Sequence, residues 1–186
     1  MPFDHFALIA PLYERIGSYS SLNEMLVHAR LPVSGRLLDV GGGTGRVAAT
    51  LREAADELVV VDVSRHMLSY AASKPGLWAV AAASERLPFP DASFARVIMV
   101  DALHHVADQR KTADELWRVL QAGGRIVIEE PDIHNIWVKG IALVEKLLLM
   151  RSHFLAPERI AALFPAAQVQ VICTQATAWV IVEKTQ

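Results

Sequence analysis

Residues Leu37 to Arg46 read LLDVGGGTGR, and this stretch decides the fold. An apolar run reaches a carboxylate at Asp39 and then breaks into glycine at positions 41, 42, 43 and 45, the composition of a buried strand that turns sharply into a helix. Arg46 to Ala55 is alanine-rich and helix-favouring. The N-terminus of that helix, with its unpaired N–H groups and partial positive charge, then faces the glycine turn. Strand, glycine loop and helix together make a nucleotide-type cradle.

Spacing narrows the ligand. A dinucleotide fingerprint begun at Gly41 needs glycine where Arg46 stands, which weakens a hydride-carrier reading. A phosphate-gripping loop needs lysine after its last glycine, and none follows Gly45. What remains is D-x-G-G-G-x-G, which resembles the first motif of class I methyltransferases that use S-adenosylmethionine. The resemblance implies that Asp39, Gly41, Gly42, Gly43 and Gly45 border a cofactor that carries no phosphate, with its methionine tail and ribose against bare backbone.

Glu57 to Val63, ELVVVDV, is a second apolar run ending in a carboxylate. Asp62 follows the first loop glycine by about 20 residues, the spacing at which an acid accepts hydrogen bonds from both ribose hydroxyls. Ser64 caps the next helix. Met67 and Leu68, one helical turn on, are candidates to border the adenine, although both are more often plain helix core, and Val63 is a further cofactor-binding candidate.

Leu77 to Ala83 is a third strand of small residues, and Ser84 to Val106 reads SERLPFPDASFARVIMVDALHHV. LPFPD-x-S-F, then a strand, then LHHV is similar to the small type 11 methyltransferases of the ubiquinone/menaquinone kind. At the Ala83 position that family often carries an aspartate on the adenine amino group. Here a backbone carbonyl or water is expected to replace it, with Ala83 and Ser84 still at the cofactor.

Ala95 to Asp101 is the fourth strand, and it delivers Asp101 and Leu103 to the cofactor crevice. His104 and His105 follow as candidate general bases, since imidazole titrates near neutrality. One histidine bonded to backbone and the other half-exposed is an equally good structural account. Adjacent histidines tend to point apart and a metal needs three or more converging ligands, so no metal is expected.

Thr112 to Leu120 is an amphipathic helix closed by Gly123 and Gly124, and Arg125 to Glu129 makes the fifth strand. Glu130 and Asp132 stand at its pocket end, where a solvated loop accounts for them equally well. Ile133 to Met150 is apolar on nearly every face yet too short and too charged for a membrane span. It needs a cover, for which a lipophilic acceptor pocket beside Trp137 comes first and a homodimer second, with His134 at the acceptor's polar end. Ala156 to Leu163 reads as a short helix, and Val169 to Thr174 with Ala178 to Glu183 as two closing strands. Phe3 to Ile16 and Leu22 to Leu31 read as helices, and FALIAPLYERI resembles the family's cofactor-covering opening, which places Tyr13 in the pocket lining.

The 186 residues, 53% hydrophobic and 20% charged, suit one α/β domain. The expected division is a helical lid over 1–34, a cofactor-binding core over 35–130 and substrate-side helices and closing strands over 131–186. The net charge of −2 gives no basic excess for nucleic acid, the single cysteine gives no disulfide, and no signal-type segment opens the chain, so cytoplasm is the default. The fold expected is a doubly wound, Rossmann-like three-layer sandwich, its sheet mostly parallel with a final antiparallel strand. The resemblance implies methyl transfer from S-adenosylmethionine to a small apolar or aromatic acceptor. A non-catalytic sensor or partner subunit that binds S-adenosylmethionine or S-adenosylhomocysteine is the second reading, and a nucleotide-dependent oxidoreductase the third.

Overall fold

The computed structural model describes residues 19–135, 138 and 152–185. Its frame is a seven-stranded sheet built from β1 (Val33–Val40), β2 (Ala55–Asp62), β3 (Leu77–Ala81), β4 (Phe94–Val100), β5 (Leu120–Pro131), β6 (Gln168–Thr174) and β7 (Thr177–Glu183), in the spatial order β3-β2-β1-β4-β5-β7-β6. Leu37, Leu38 and Val40 in β1, and Leu58 to Val61 in β2, are buried, as strands covered on both faces must be. Strands β1 to β5 pair in parallel, while β7 pairs antiparallel with both β5 and β6, so β7 alone runs against the rest. This is the expected doubly wound sheet. Its order reverses between β1 and β4, and the crevice outside their carboxyl ends is where such folds bind ligands.

Helices α1 (Leu22–His28), α2 (Arg46–Thr50) and α3 (Arg65–Ala72) cover one face, with Met25, Ala48, Leu51, Leu68 and Ala71 packed toward Trp179. On the other face α4 (Gln109–Val119) and α5 (Pro157–Ala161) bring Leu116, Val119 and Ile160 onto Val97, Ile126 and Val180. Each such side chain contributes roughly 1.5–3 kcal/mol by leaving water. Ser64 caps α3 by accepting from the Met67 N–H, and Asp108 caps α4 by accepting from the Lys111 N–H.

Several boundaries differ from expectation. Helix α1 stops at His28 because Arg30 takes the left-handed conformation (φ 49°), with Arg30 N–H bonded to the Val27 carbonyl and Leu31 N–H to the Leu26 carbonyl, the closure glycine usually provides. Helix α2 is only five residues long, since the chain turns at Leu51 to re-enter the sheet at Ala55. Gly123 and Gly124 do not close α4, which passes directly into β5. They lie in an irregular stretch between the Phe94–Leu120 and Arg96–Arg125 pairs, where they exchange hydrogen bonds with Lys184. Ile133 and His134 form a turn rather than the start of a helix. The expected helices over 3–16 and the body of 133–150, with Tyr13 and Trp137, fall outside the described residues, although Val138 is buried. Among the described residues no helix is long and apolar enough to cross a membrane.

Candidate active site

The carboxyl ends of β1, β2 and β4 open into a cleft of about 410 Å³. Its floor is the loop that follows β1. Gly41 has a φ of 72°, and a Cβ there would lie 2.6 Å from the Ala102 Cβ, so the β1 and β4 loops approach at a distance only glycine allows. Gly45 is needed for a different reason and does not line the cleft. At a φ of 72° its Cβ would sit 2.9 Å from Leu77 Cδ1 and 3.1 Å from Ala71 Cβ, so it seats α2 against α3 and β3.

Two carboxylates meet this loop. Asp62 accepts from the Gly43 N–H through Oδ2 at 3.0 Å and from the Ser64 N–H through Oδ1 at 2.8 Å, which fixes its orientation at the cleft wall. Asp39 lies beneath the loop, 1% exposed, and its Oδ2 has no hydrogen-bond partner among the described residues. Burial and then the charge of Asp62 push the Asp39 carboxyl up to about 7, against the Ala48 N–H and Arg46. Val63, Met67 and Ala83 make an apolar wall beside Asp62. Ser84 also lines the cleft, but its hydroxyl is engaged with Thr112 Oγ1 at 3.0 Å. Neighbouring Glu85 accepts from the N–H groups of Ala107 (3.0 Å) and Asp108 (3.1 Å), and so holds the chain entering α4.

The opposite wall begins at Asp101, a non-glycine residue at a φ of 49°. A single 3₁₀ turn, Leu103–His105, follows. Glu130, buried at 3% exposure, organises this turn: Oε1 accepts from the Ala102 (2.9 Å) and Leu103 (2.7 Å) N–H groups, and Oε2 lies 2.5 Å from His104 Nδ1. His104 is buried under Phe154, whose ring stacks on it at 4.3 Å and 15°. His105 instead borders the cleft, with Nδ1 3.3 Å from Ser152 Oγ. Burial, and then the adjacent His104, push its imidazole down to about 4, so it is neutral at physiological pH.

The structure thus separates the predicted residues. Gly42 and Gly43 with Asp39, Gly41, Asp62 and Asp101 surround the cleft. Leu103 does not contact it, because its side chain is in the apolar core at 1% exposure, and His104 does not because Glu130 and Phe154 hold it inward. His134 is a surface residue paired with Asp132 at 3.0 Å, away from the cleft. Glu130 and Asp132 are buried rather than solvated, and Glu130 is the residue that sequence reading most underweighted. Its signal is the second of two acids, Glu129 and Glu130, that follow the apolar run Ile126–Ile128. Glu129 is buried as well: Tyr19 donates to it, and burial pushes its carboxyl up to about 7. Among the described residues no three metal-ligating side chains converge.

Residues 38–128 match the Methyltransf_11 model, described as a methyltransferase domain. The match runs from inside β1 to Ile128 in β5. Over 143 residues the chain is 36% identical to the demethylmenaquinone methyltransferase of Deinococcus radiodurans, an alignment covering 67% of this chain and 58% of that protein. It is 35% identical over 124 residues to the ubiquinone/menaquinone biosynthesis C-methyltransferase of Stenotrophomonas maltophilia, covering 61% of this chain and 49% of that one. The chain therefore spans about half the length of the curated relatives it matches. The solved YcgJ protein of Bacillus subtilis superposes with a TM-score of 0.72 at 27% identity, over 82% of this chain and 70% of its own. A SAM-dependent methyltransferase from Thermotoga maritima shares the fold, with a TM-score of 0.80 over 97% of this chain and 98% of its own at 23% identity.

Proposed function

We propose that the chain, whose residues 38–128 match a methyltransferase-domain model, is a type 11 methyltransferase that transfers the methyl group of S-adenosylmethionine to a small aromatic or apolar acceptor. The observation that carries this is Asp39, a buried carboxylate with an open oxygen directly under a loop of bare backbone. A buried acid with one unpartnered oxygen is costly to ionise and favours a cationic ligand. The same group disfavours a dinucleotide, whose pyrophosphate would meet an uncompensated negative charge. Residues at the cleft fit the cofactor part by part. Asp39 would accept from its ammonium and Asp62 from its ribose hydroxyls, and Val63, Met67 and Ala83 would flank its base.

When bound, the cofactor supplies a methyl group already activated by its sulfonium. The chain's own work is to hold the acceptor atom in line and to exclude water. The named activity of the Deinococcus relative favours a quinone-type acceptor. We assign 35–130 to binding the cofactor. The missing side-chain acceptor at Ala83 favours a non-catalytic binder as the second reading. The test is to incubate the chain with the methyl donor and naphthalene-1,4-diol, and to follow S-adenosylhomocysteine formation. Binding of donor and product without turnover of any hydroxylated arene would favour the sensor. Binding of a nicotinamide dinucleotide in place of the donor would overturn both.

A further inference from the structure

Resting on the methyl-transfer reading, we propose that His105 is the base that takes the acceptor's proton, and that Glu130 and His104 are positioning residues that hold it at the cleft. The two histidines are neighbours in sequence, with ring centroids 3.9 Å apart, yet only His105 borders the cleft. Its placement is fixed from two sides. From the sheet, Glu130 ties Ala102, Leu103 and His104 to the end of β5 through two N–H groups and an imidazole, and the His105 N–H closes the turn on the Ala102 carbonyl at 3.1 Å. From the far end of the chain, the His153 N–H donates to the His104 carbonyl at 2.7 Å. Gln109 Nε2 bridges the Leu103 and His153 carbonyls at 3.1 and 2.7 Å. Ser152 reaches His105 Nδ1 from this same segment.

Ser152 Oγ lies 3.3 Å from His105 Nδ1, and in the tautomer whose Nδ1–H is the donor of that pair the lone pair sits on Nε2, as a base requires. Among the described residues, His104, with Glu130 behind it, and Ser152 from the crossing segment adjoin His105, and Asp101 and Glu85 line the same cleft. Burial keeps the imidazole neutral over the physiological range and makes it a weak base, so it takes the acceptor's proton as the carbon–methyl bond forms rather than before. For a hydroxylated arene the balance is complete. The hydroxyl proton passes to His105, and the adjacent ring carbon's electron pair forms the bond to the methyl group. The sulfur–methyl bond breaks with its pair left on sulfur, and the ring proton returns to the oxygen as aromaticity is restored. One proton in total is released, by way of His105.

The experiment compares the full chain with His105→Ala, Glu130→Gln and Ser152→Ala, using naphthalene-1,4-diol as acceptor. Donor affinity is read by calorimetry, kcat and KM across pH by product formation, and the imidazole nitrogens by NMR without any ligand. His105→Ala should lose roughly 10²–10⁴-fold in kcat with donor affinity unchanged. Glu130→Gln should lose roughly 10–100-fold, since misplacement alone has that cost, and should shift the His105 nitrogen signals in the ligand-free protein. Ser152→Ala should mix the two tautomers in the same spectra. Unchanged kcat in His105→Ala, or unchanged nitrogen signals in Glu130→Gln and Ser152→Ala, overturns the assignment. A wild-type chain that binds neither the donor nor its demethylated product overturns the methyl-transfer reading itself. Donor binding with no turnover of the diol overturns His105 as a base for hydroxylated arenes.

Discussion

On its β1–β2 side the cleft is made by backbone. Gly41 brings two loops together, Gly45 lets α2 seat against α3, and Asp62 is aimed by the N–H groups of Gly43 and Ser64. On its β4–β5 side the cleft is made by side chains that meet across the chain, with Glu130 reaching back to Ala102–His104, and Ser152 and Phe154 closing over the histidines. The first half is a rigid shape that fails when atoms are added. The second is a polar network that fails when atoms are removed.

Adding atoms to the first half should have the largest effect. Gly45→Val combines a β-branched residue at a φ of 72° with clashes against Leu77 and Ala71, and we expect a loss of about 3–6 kcal/mol in urea unfolding from overpacking and backbone strain together. Gly43→Ala is the control on the same loop. Its Cβ would meet the flexible end of Met67 at 3.2 Å and lie 3.9 Å from Asp62 Oδ2, at a φ of 55°, so only about 1–2 kcal/mol of backbone strain is added and the fold should survive while donor binding weakens. Equal destabilisation by both would mean that the loop is not divided into a packing glycine and a ligand-facing one.

Removing atoms from the second half comes next. Glu130→Ala strands two buried N–H groups and leaves His104 without its acceptor, which should cost about 2–4 kcal/mol at a buried charged hydrogen-bonding site. Hydrogen exchange should report the loss at Ala102 and Leu103, with the Gly43 and Ser64 amides unaffected. Exchange accelerating equally on both sides of the cleft would show that the two halves are not separately built.

The same contrast explains what the sequence made legible. The mostly parallel sheet with a final antiparallel strand is what the family resemblance implies, and the residues around Asp39, Gly41 and Asp62 stand in contiguous motifs, because a backbone cradle needs its glycines and acids at fixed spacing. Glu130 and Ser152 act on partners 26 to 28 and 47 positions away, and no local period encodes such a meeting. The sequence offers His104 and His105 alike as candidate bases, and only the Glu130 bond and the Phe154 ring show which one turns inward. Gly123 and Gly124 after a helical stretch spell a helix stop, a local rule that tertiary pairing with Lys184 overrides.

A smaller effect belongs to Asp62. Asp62→Ala removes a carboxylate that is placed for ligand more than for fold, so donor binding should weaken by about 1.5–3 kcal/mol, the worth of hydrogen bonds to a charged acceptor. Calorimetry with unchanged affinity would take Asp62 out of the cofactor site and leave it as a loop brace for Gly43.

The smallest effect should carry an unusual sign. The Asp39 carboxyl is raised to about 7 by burial, above the 3.8 of an ordinary aspartate. A group raised on folding lends stability below its unfolded value and loses it as pH climbs through the folded one. Ligand-free protein should therefore weaken between about pH 4 and pH 7, and Glu129 contributes in the same direction. Asp39→Asn removes the buried charge while keeping the shape. At pH 8 we expect the ligand-free variant to gain about 1–2 kcal/mol, or roughly 2–8 °C in Tm, with the gain shrinking toward pH 4. The donor should show the opposite. Its positive charge favours the ionised carboxylate, so wild-type affinity should rise with pH up to about 7, with a proton released on binding, and the variant should bind weakly with that dependence flattened. Melting curves and calorimetry in buffers of different ionisation enthalpy measure both. A variant that is less stable than wild type at pH 8 and keeps the full pH dependence of binding would show that Asp39 braces the loop, and that another acid receives the cofactor's charge.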